Sequence, residues 1–433
     1  MHPVRLIIVG AGSRGAIYAQ YAREHPAAVR VVGVAEPRAA QREQLARDHQ
    51  LAADAMVTDW RELAARPKFA DAVVVATSDT EHVEPVVAFA ALGYHLLLEK
   101  PMAPTADECR RIVAATTAAG VMLAVCHVLR YTRYTERLKA ILAAGRIGDV
   151  VSIAHLEPVG YWHQAHSFVR GNWGNQARSS PMLLAKSCHD LDWIRYVVGK
   201  PCLQVQSFGS LSHFRREHQP AGAADRCLDC GVEASCPYSA KKIYLGRVAV
   251  GYTGWPVDVL TTDLTADGVT EALRTGPYGR CVYACDNDVV DHQVVDLLFE
   301  GGATGSFTMT GFTRQRDRET RIFGTRGELF GNGQTIEVHD FLTDQTETID
   351  VAIGSDGSIV TGHGGGDARL MEQFVAAVAS GDPTKILSGA AESLETHLIV
   401  FAAETSRREG RVERVTATGA APVVVQDLPE RNA

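Results

Sequence analysis

Between Ser179 and Gly199 the chain reads SSPMLLAKSCHDLDWIRYVVG. Lys186, His189, Asp190 and Trp193 fall there at i, i+3, i+4 and i+7, so one continuous helix would set them on a single face. Histidine titrates near neutral pH and a desolvated lysine is drawn toward that range, so such a face can relay a proton. The same spacing also suits a solvated surface carrying a Lys–Asp pair. Leu184, Cys188, Leu191, Ile194 and Val198 recur at helical spacing and form a stripe for burial.

What must position these groups begins at the N-terminus. Arg5 to Val9 is a short apolar strand, followed by Gly10-Ala-Gly12-Ser13-Arg14-Gly15 and a helix over Ala16–Glu24. In a nucleotide-binding turn the first glycine permits the bend. The second lets backbone N–H groups approach a pyrophosphate, and the third lets helix pack on strand. A second strand, Val29–Ala35, ends at Glu36, which lies 21 residues beyond Gly15 and can accept from the hydroxyls of an adenosine ribose. An acid there repels a 2′-phosphate and favours NAD over NADP, while Arg14 and Arg38 stand close enough to host one. Further strands are expected at Ala72–Ala76, Tyr94–Leu98 and Val121–Cys126, separated by helices at about 80–92 and 106–119. A fully apolar strand such as AVVVA belongs in a parallel sheet covered on both faces. The expected fold class is therefore an α/β Rossmann domain over 1–127, with a doubly wound parallel sheet.

Glu99-Lys100-Pro101 closes the fourth of these strands. With this motif in this place, and a histidine at 189, the sequence resembles the Gfo/Idh/MocA oxidoreductases over nearly its whole length. The resemblance implies that Lys100 lies beside the nicotinamide and positions or polarises the reacting substrate. Thr77, His82, Glu99 and Pro101 become cofactor contacts with it, and His189 an acid/base. The common family pattern has an aspartate four residues before that histidine. This chain has Ala185 there, with Lys186 and Asp190 flanking His189, so Lys186 joins Lys100 and His189 in the expected catalytic set.

From about residue 150 the pattern changes to strands at about 150–157, 203–211, 289–299, 304–310, 320–323 and 335–338, which reads as a large, mainly antiparallel open sheet in an α+β domain over 128–433. Helices are expected from Asp367, as cap, to Ser380 and from Ala390 to Arg408. The resemblance implies a homodimer or homotetramer built through that sheet. Arg130, Tyr131, Tyr161, Trp162, His163, His166, Arg170 and Trp173 are read as substrate contacts, with Asp190. The run from Tyr161 to Trp173 shows no clean period, and its aromatic faces suit the C–H face of a sugar ring. His363, in the turn Gly362-His363-Gly-Gly-Gly-Asp367, is a further expected contact. Similar His-Gly-Gly loops occur in family branches that act on glycosides, including NAD-dependent glycosidases.

An insertion at about 215–288 interrupts the strands and carries Cys227, Cys230, Cys236, Cys281 and Cys285. Cys227-x-x-Cys230 with Cys236 and either Cys285 or Cys281 is a ligand set for structural zinc, an iron–sulfur cluster is the rival, and apolar packing is the third reading.

A chain of 433 residues, 46% hydrophobic and 22% charged, with net charge −8, is ordinary for a globular protein and ill suited to nonspecific nucleic-acid binding. No apolar run stands out as a membrane span. The strand that starts almost at Met1 leaves no room for a leader, which gives a cytoplasmic expectation. The expected function is an NAD-dependent oxidoreductase acting on a secondary hydroxyl of a sugar, cyclitol or glycoside. The alternatives are a redox-assisted glycosidase or lyase that recycles tightly bound NAD, and a non-catalytic NAD-responsive binding protein.

Overall fold

The computed structural model describes residues 2–351 and 364–415, so His363 lies outside the described residues. Six parallel strands form the first sheet: β1 (Val4–Val9), β2 (Val29–Ala35), β3 (Met56–Val57), β4 (Ala72–Val75), β5 (His95–Leu98) and β6 (Leu123–Val125). Their order is β3-β2-β1-β4-β5-β6, with the switch of direction between β1 and β4. Leu6, Ile8 and Val74 face one buried cluster, and Ile7, Val9, Val73 and Val75 face the other. Burial on both faces is why β4 is apolar at every position.

The second sheet contains β7 (Val150–Pro158), β8 (Cys202–Ser210), β9 (His292–Phe299), β10 (Thr304–Thr310), β11 (Glu319–Gly324), β12 (Gly327–Gly331), β13 (Thr335–Asp340), β14 (Gln345–Asp350) and β15 (Glu413–Arg414). The order is β14-β13-β12-β11-β7-β10-β9-β8-β15, antiparallel except for the β7–β10 pair. Its inner residues Ile153, Phe307, Ile322 and Ile336 share a core with Leu184, Cys188, Leu191, Ile194 and Val198, the stripe read from the sequence.

The helix expected through Lys186 is broken. Met182–Ala185 and Cys188–Val198 are separate helices, and Ser187 between them leaves helical geometry at φ −106° and ψ 11°. The two closing helices are observed at Gly366–Ser380 and Ala390–Glu409. Asp367 does not cap the first. Gly365 holds that place at φ 81°, a left-handed conformation suited to glycine, and Asp367 is buried in an ion pair with Arg14. Leu370, Met371 and Phe374 of that helix pack on the dinucleotide domain's core. Leu394 and Leu398 of the last helix enter the other core of that domain, while Ile399, Val400 and Ala403 enter the core of the second sheet. The region Pro383–Glu409 is long and apolar enough to cross a membrane by length and composition, unlike the sequence reading. Here its central part is a core helix with Ser393, Thr396, His397 and Glu404 all buried.

Asp192 stands where these parts meet and is fully buried. Arg130 Nε and Nη2 each donate to its carboxylate at 2.7 Å, Thr396 Oγ1 donates at 3.0 Å, and Arg130 Nη1 donates to Leu387 O. Removing one member of a buried, hydrogen-bonded pair leaves an uncompensated charge. Asp192→Ala is expected to lower unfolding free energy by about 3–5 kcal/mol. Asp71→Ala, which breaks the exposed Arg5–Asp71 pair, should cost under ~1 kcal/mol; urea denaturation of both variants checks the contrast.

Candidate active site

The glycine turn has the shape its spacing demands. Gly10 adopts φ +91°, and a Cβ there would lie 2.5 Å from Ala76 O; one on Gly15 would lie 1.9 Å from Gly10 O. A Cβ on Gly12 would instead meet only the Arg38 guanidinium, at 3.4 Å, so that face of the turn is left for a ligand's approach. Ser13 opens the helix Ser13–Glu24 directly behind it. These residues fit a dinucleotide pyrophosphate.

Glu36 ends β2, buried, with both carboxylate oxygens engaged. Ala11 N–H donates at 2.8 Å, Arg38 N–H at 2.9 Å, Arg38 Nε at 2.7 Å and Arg38 Nη2 at 2.9 Å. Burial alone would raise its pKa, but the Arg38 side chain and these backbone donors outweigh it and hold the group below the usual range. Arg38, its side chain 56% exposed, therefore covers the buried Glu36 carboxylate from the solvent side.

Arg14 does not face that pocket. It turns inward to Glu99 Oε1 at 2.5 Å and to Asp367, joining the first helix, the end of β5 and the Gly366–Ser380 helix. A guanidinium held by two carboxylates is not free for a 2′-phosphate, which corrects that expectation. Glu99 is likewise a buried ionic anchor, accepting also from Tyr18 and from Lys100 N–H. His82 Nδ1 donates to Pro101 O at 2.9 Å, and its Nε2 lies 3.3 Å from Thr77 O, so its ring clasps two loops at the strand ends. Thr77 Oγ1 donates to Glu81 O, closing the same loop. The Lys100–Pro101 peptide is cis.

Lys100 reaches across the domain boundary, its Nζ donating to Ala185 O at 2.7 Å. This contact sets it beside the Lys186–His189 segment. Ser179 and Ser180 donate to Asp79 nearby, a second tie between the domains. His189 is 5% exposed, its ring edge-on to His127 at 6.0 Å between centroids. Lys186 pairs with Glu157 at 3.2 Å. The Lys186–Asp190 pair of the alternative surface reading does not form, because the helix break redirects the two side chains. Asp190 is fully buried and bonds His155 and Arg318, and Arg318 also pairs with Glu157 at 2.9 Å. Asp190 is thus a buried anchor that fixes Arg318, and Trp193 packs inward, stacked on His155 and donating to Thr135. Glu157, His155 and Arg318 were not singled out in the sequence; β7 and the segment before β11 bring them to the helix, and no local spacing signals that.

The run from Tyr161 to Trp173, which shows no clean period in sequence, is helical. Tyr161–His163 continues into a wide π-type turn over Gln164–Arg170, then a short turn over Asn172–Gly174. Gly171 is required there, since a Cβ would lie 2.7 Å from His166 O. His163 packs edge-on to Trp255 at 4.9 Å, and Trp162 lies 5.2 Å from Trp255. Trp255 comes from the insertion and was not anticipated. Tyr161 and Trp173 are each about two-fifths exposed, at 40% and 39%.

Besides Asp190, four expected substrate contacts are structural instead. Arg130 is spent on Asp192, and the Tyr131 hydroxyl accepts from Leu387 and Ser388 N–H at 3.0 and 3.1 Å. His166 Nδ1 bonds Tyr244 Oη at 2.8 Å inside the insertion. Arg170 is 2% exposed and donates to Arg280 O and Tyr238 O. Each is polar, and each was diverted because a buried polar group must find partners. Among the described residues no group of three or more His, Cys, Asp or Glu gathers as ligands for one metal ion, so the structural zinc finds no single-ion site. Cys285 turns its S–H to Cys281 O at 3.3 Å.

Burial drives the pKa of His127 and of His166 down to about 3 and that of His397 to about 4, and it also lowers His163, with the Lys100 and Lys186 charges adding to the effect on His163. These rings are neutral when folded and titrate near 6.5 when unfolded, so the unfolded chain binds more protons between those values. Stability is therefore expected to fall as pH drops below about 6.5, by up to ~1.4 kcal/mol per pH unit for each ring. Denaturation series between pH 4 and 7 should show a shallower slope for His397→Gln; a flat wild-type profile would refute the neutral burial.

Family models match nearly the whole chain: the oxidoreductase family NAD-binding Rossmann fold over residues 4–127, and that family's C-terminal alpha/beta domain over 139–416. The putative oxidoreductase YteT of Bacillus subtilis is 25% identical over 70% of this chain and 72% of its own length. An inositol 2-dehydrogenase of Pseudomonas savastanoi is 27% identical over 47% of this chain and 57% of its own. Among solved structures, levoglucosan dehydrogenase in complex with NADH and L-sorbose superposes with a TM-score of 0.70 at 19% identity, covering 96% of this chain and all (100%) of that one. With both family domains matched and the six-stranded parallel sheet followed by the nine-stranded one, the chain belongs to the Gfo/Idh/MocA oxidoreductase family.

Proposed function

We propose that this oxidoreductase transfers hydride between NAD and a secondary hydroxyl of a sugar or cyclitol. The observation that carries this reading is the Lys100 Nζ contact to Ala185 O at 2.7 Å. It sets the lysine at the carboxyl end of β5 against the Lys186–His189 segment, where the nicotinamide end of a bound dinucleotide would lie. When bound, NAD supplies the hydride acceptor. His189 takes the proton of the reacting hydroxyl, while the Lys100 and Lys186 ammonium groups stabilise the developing alkoxide. The Glu157 carboxylate holds Lys186, and Arg318 holds Glu157 in turn. Tyr161, Trp162 and His163, with Trp255 behind them, supply a wall for a carbohydrate ring. The name of levoglucosan dehydrogenase and that of the inositol dehydrogenase support a polyhydroxylated substrate. The outward face of the second sheet, with Phe208 and Phe323 exposed, is the surface we assign to self-association.

Purified protein given NAD and a panel of sugars and cyclitols should accumulate reduced NAD in proportion to one substrate. His189→Ala is expected to lower that turnover by roughly 10²–10⁴-fold with little loss of NAD affinity. Near-normal turnover would remove His189 from the chemistry, and product formation without net NAD reduction would replace this reading by the recycled-cofactor glycosidase. Glu36→Gln is expected to reduce kcat/KM for NAD by about tenfold to a hundredfold, the worth of a charged hydrogen bond. The same variant should narrow the preference over NADP, because Arg38 is released from its carboxylate.

A further inference from the structure

We propose that Cys227, Cys230, Cys236 and Cys281 hold a four-iron, four-sulfide cluster. The insertion between β8 and β9 brings these four side chains to the lining of one cavity of about 90 Å³, together with Arg170 and Tyr283. Cys227 opens a short turn that Cys230 ends, Cys236 ends the next turn, and Cys281 arrives from beyond the helix Ala266–Thr275.

Two features favour a cluster over a single ion, and a third suits the anionic sulfur of either. First, zinc binds four thiolates at ~2.3 Å, which forces the sulfurs within about 4 Å of one another. Among the described residues no three candidate ligands gather that way, yet four cysteines face one space. A cubane takes one thiolate per iron, so its sulfurs stay apart around a filled centre. Second, a water needs only ~10–15 Å³ of such space, so this cavity has room for several atoms. Third, the surroundings are built for negatively charged sulfur. Arg170 is 2% exposed, and its Nη2 donates to Cys227 Sγ at 3.4 Å, while its Nη1 is buried with no hydrogen-bond partner among the described residues. Gln219 Nε2 donates to Cys281 Sγ at 3.7 Å. Glu233, the carboxylate on the same wall, is taken up by Ser239 and Lys241. A cluster on four thiolates would supply Arg170 with the anion it otherwise lacks, and N–H donors to sulfur are one of the ways a protein tunes such a centre. Cys285 does not line the cavity.

The cluster's part is to fasten the insertion to the Tyr161–Trp173 wall through Arg170, so no electron transfer is invoked. The test is the metal content of the full chain isolated without oxygen and, in a second arm, reconstituted with equal amounts of ferrous and ferric iron and with sulfide. About four irons and four labile sulfides per chain are expected, with a broad sulfur-to-iron absorption band in the visible. Cys230→Ser and Cys236→Ser should lose most of the iron, and Cys285→Ser should keep it all. One zinc per chain without labile sulfide overturns the proposal, as does a chain that stays metal-free after reconstitution. Full iron in a Cys230→Ser/Cys236→Ser double variant overturns it too. The wild-type analysis decides the matter even where a variant fails to fold.

Discussion

The buried carboxylate of Asp192 is the constraint around which both domains are arranged. A charge without solvent requires a cation and hydrogen-bond donors at fixed positions. Arg130 comes from the chain leaving the dinucleotide domain, and Thr396 from the last helix. Asp192 itself lies on the Cys188–Val198 helix of the second domain. Three distant segments must therefore be in register before the charge is satisfied, and that register fixes where His189, one turn earlier, is presented. A neutral His127 lies 3.6 Å from the same carboxylate and edge-on to His189. Anchor and candidate acid/base thus share one wall.

A second ionic knot repeats the logic at the cofactor side. Arg14, Glu99, Tyr18 and Asp367 join the first helix, β5 and a helix from near the C-terminus. A third, Lys186–Glu157–Arg318–Asp190, orients one candidate lysine from β7. The chain spends many of its charges on holding loops at the strand ends. Loops carry function when rigid elements fix them, and here the fixing is electrostatic as well as apolar.

Much of this was legible beforehand. GAGSRG between an apolar strand and a helix allows little but a dinucleotide turn, because only glycine tolerates φ +91° at Gly10 or the approach of Gly10 O at Gly15. The apolar stripe through Leu191 and Ile194 was read correctly, since its period depends only on helix geometry. Arg130, Tyr131, His166, Arg170 and Asp190 were misread for one shared reason. A polar side chain's type says that it will be bonded, but whether to ligand or to protein depends on segments tens or hundreds of residues away. The same holds for Trp255, which the insertion packs against His163 and Trp162.

The sequence by itself determined the class of the molecule: a parallel nucleotide-binding sheet, a glycine turn with an acid after the second strand, and a large second sheet. Those features follow from local periodicity and backbone sterics, which are written within a few residues. Tertiary structure alone decided that Arg38 covers Glu36, that Arg14 serves Asp367 instead of a phosphate, and that Lys186 parts from Asp190 at a helix break. It alone also chose Cys281 over Cys285 as the fourth cysteine lining one cavity. Each of these is a choice of partner for a charge or a thiol, and partners are set by which segments the folded core brings within a few ångströms.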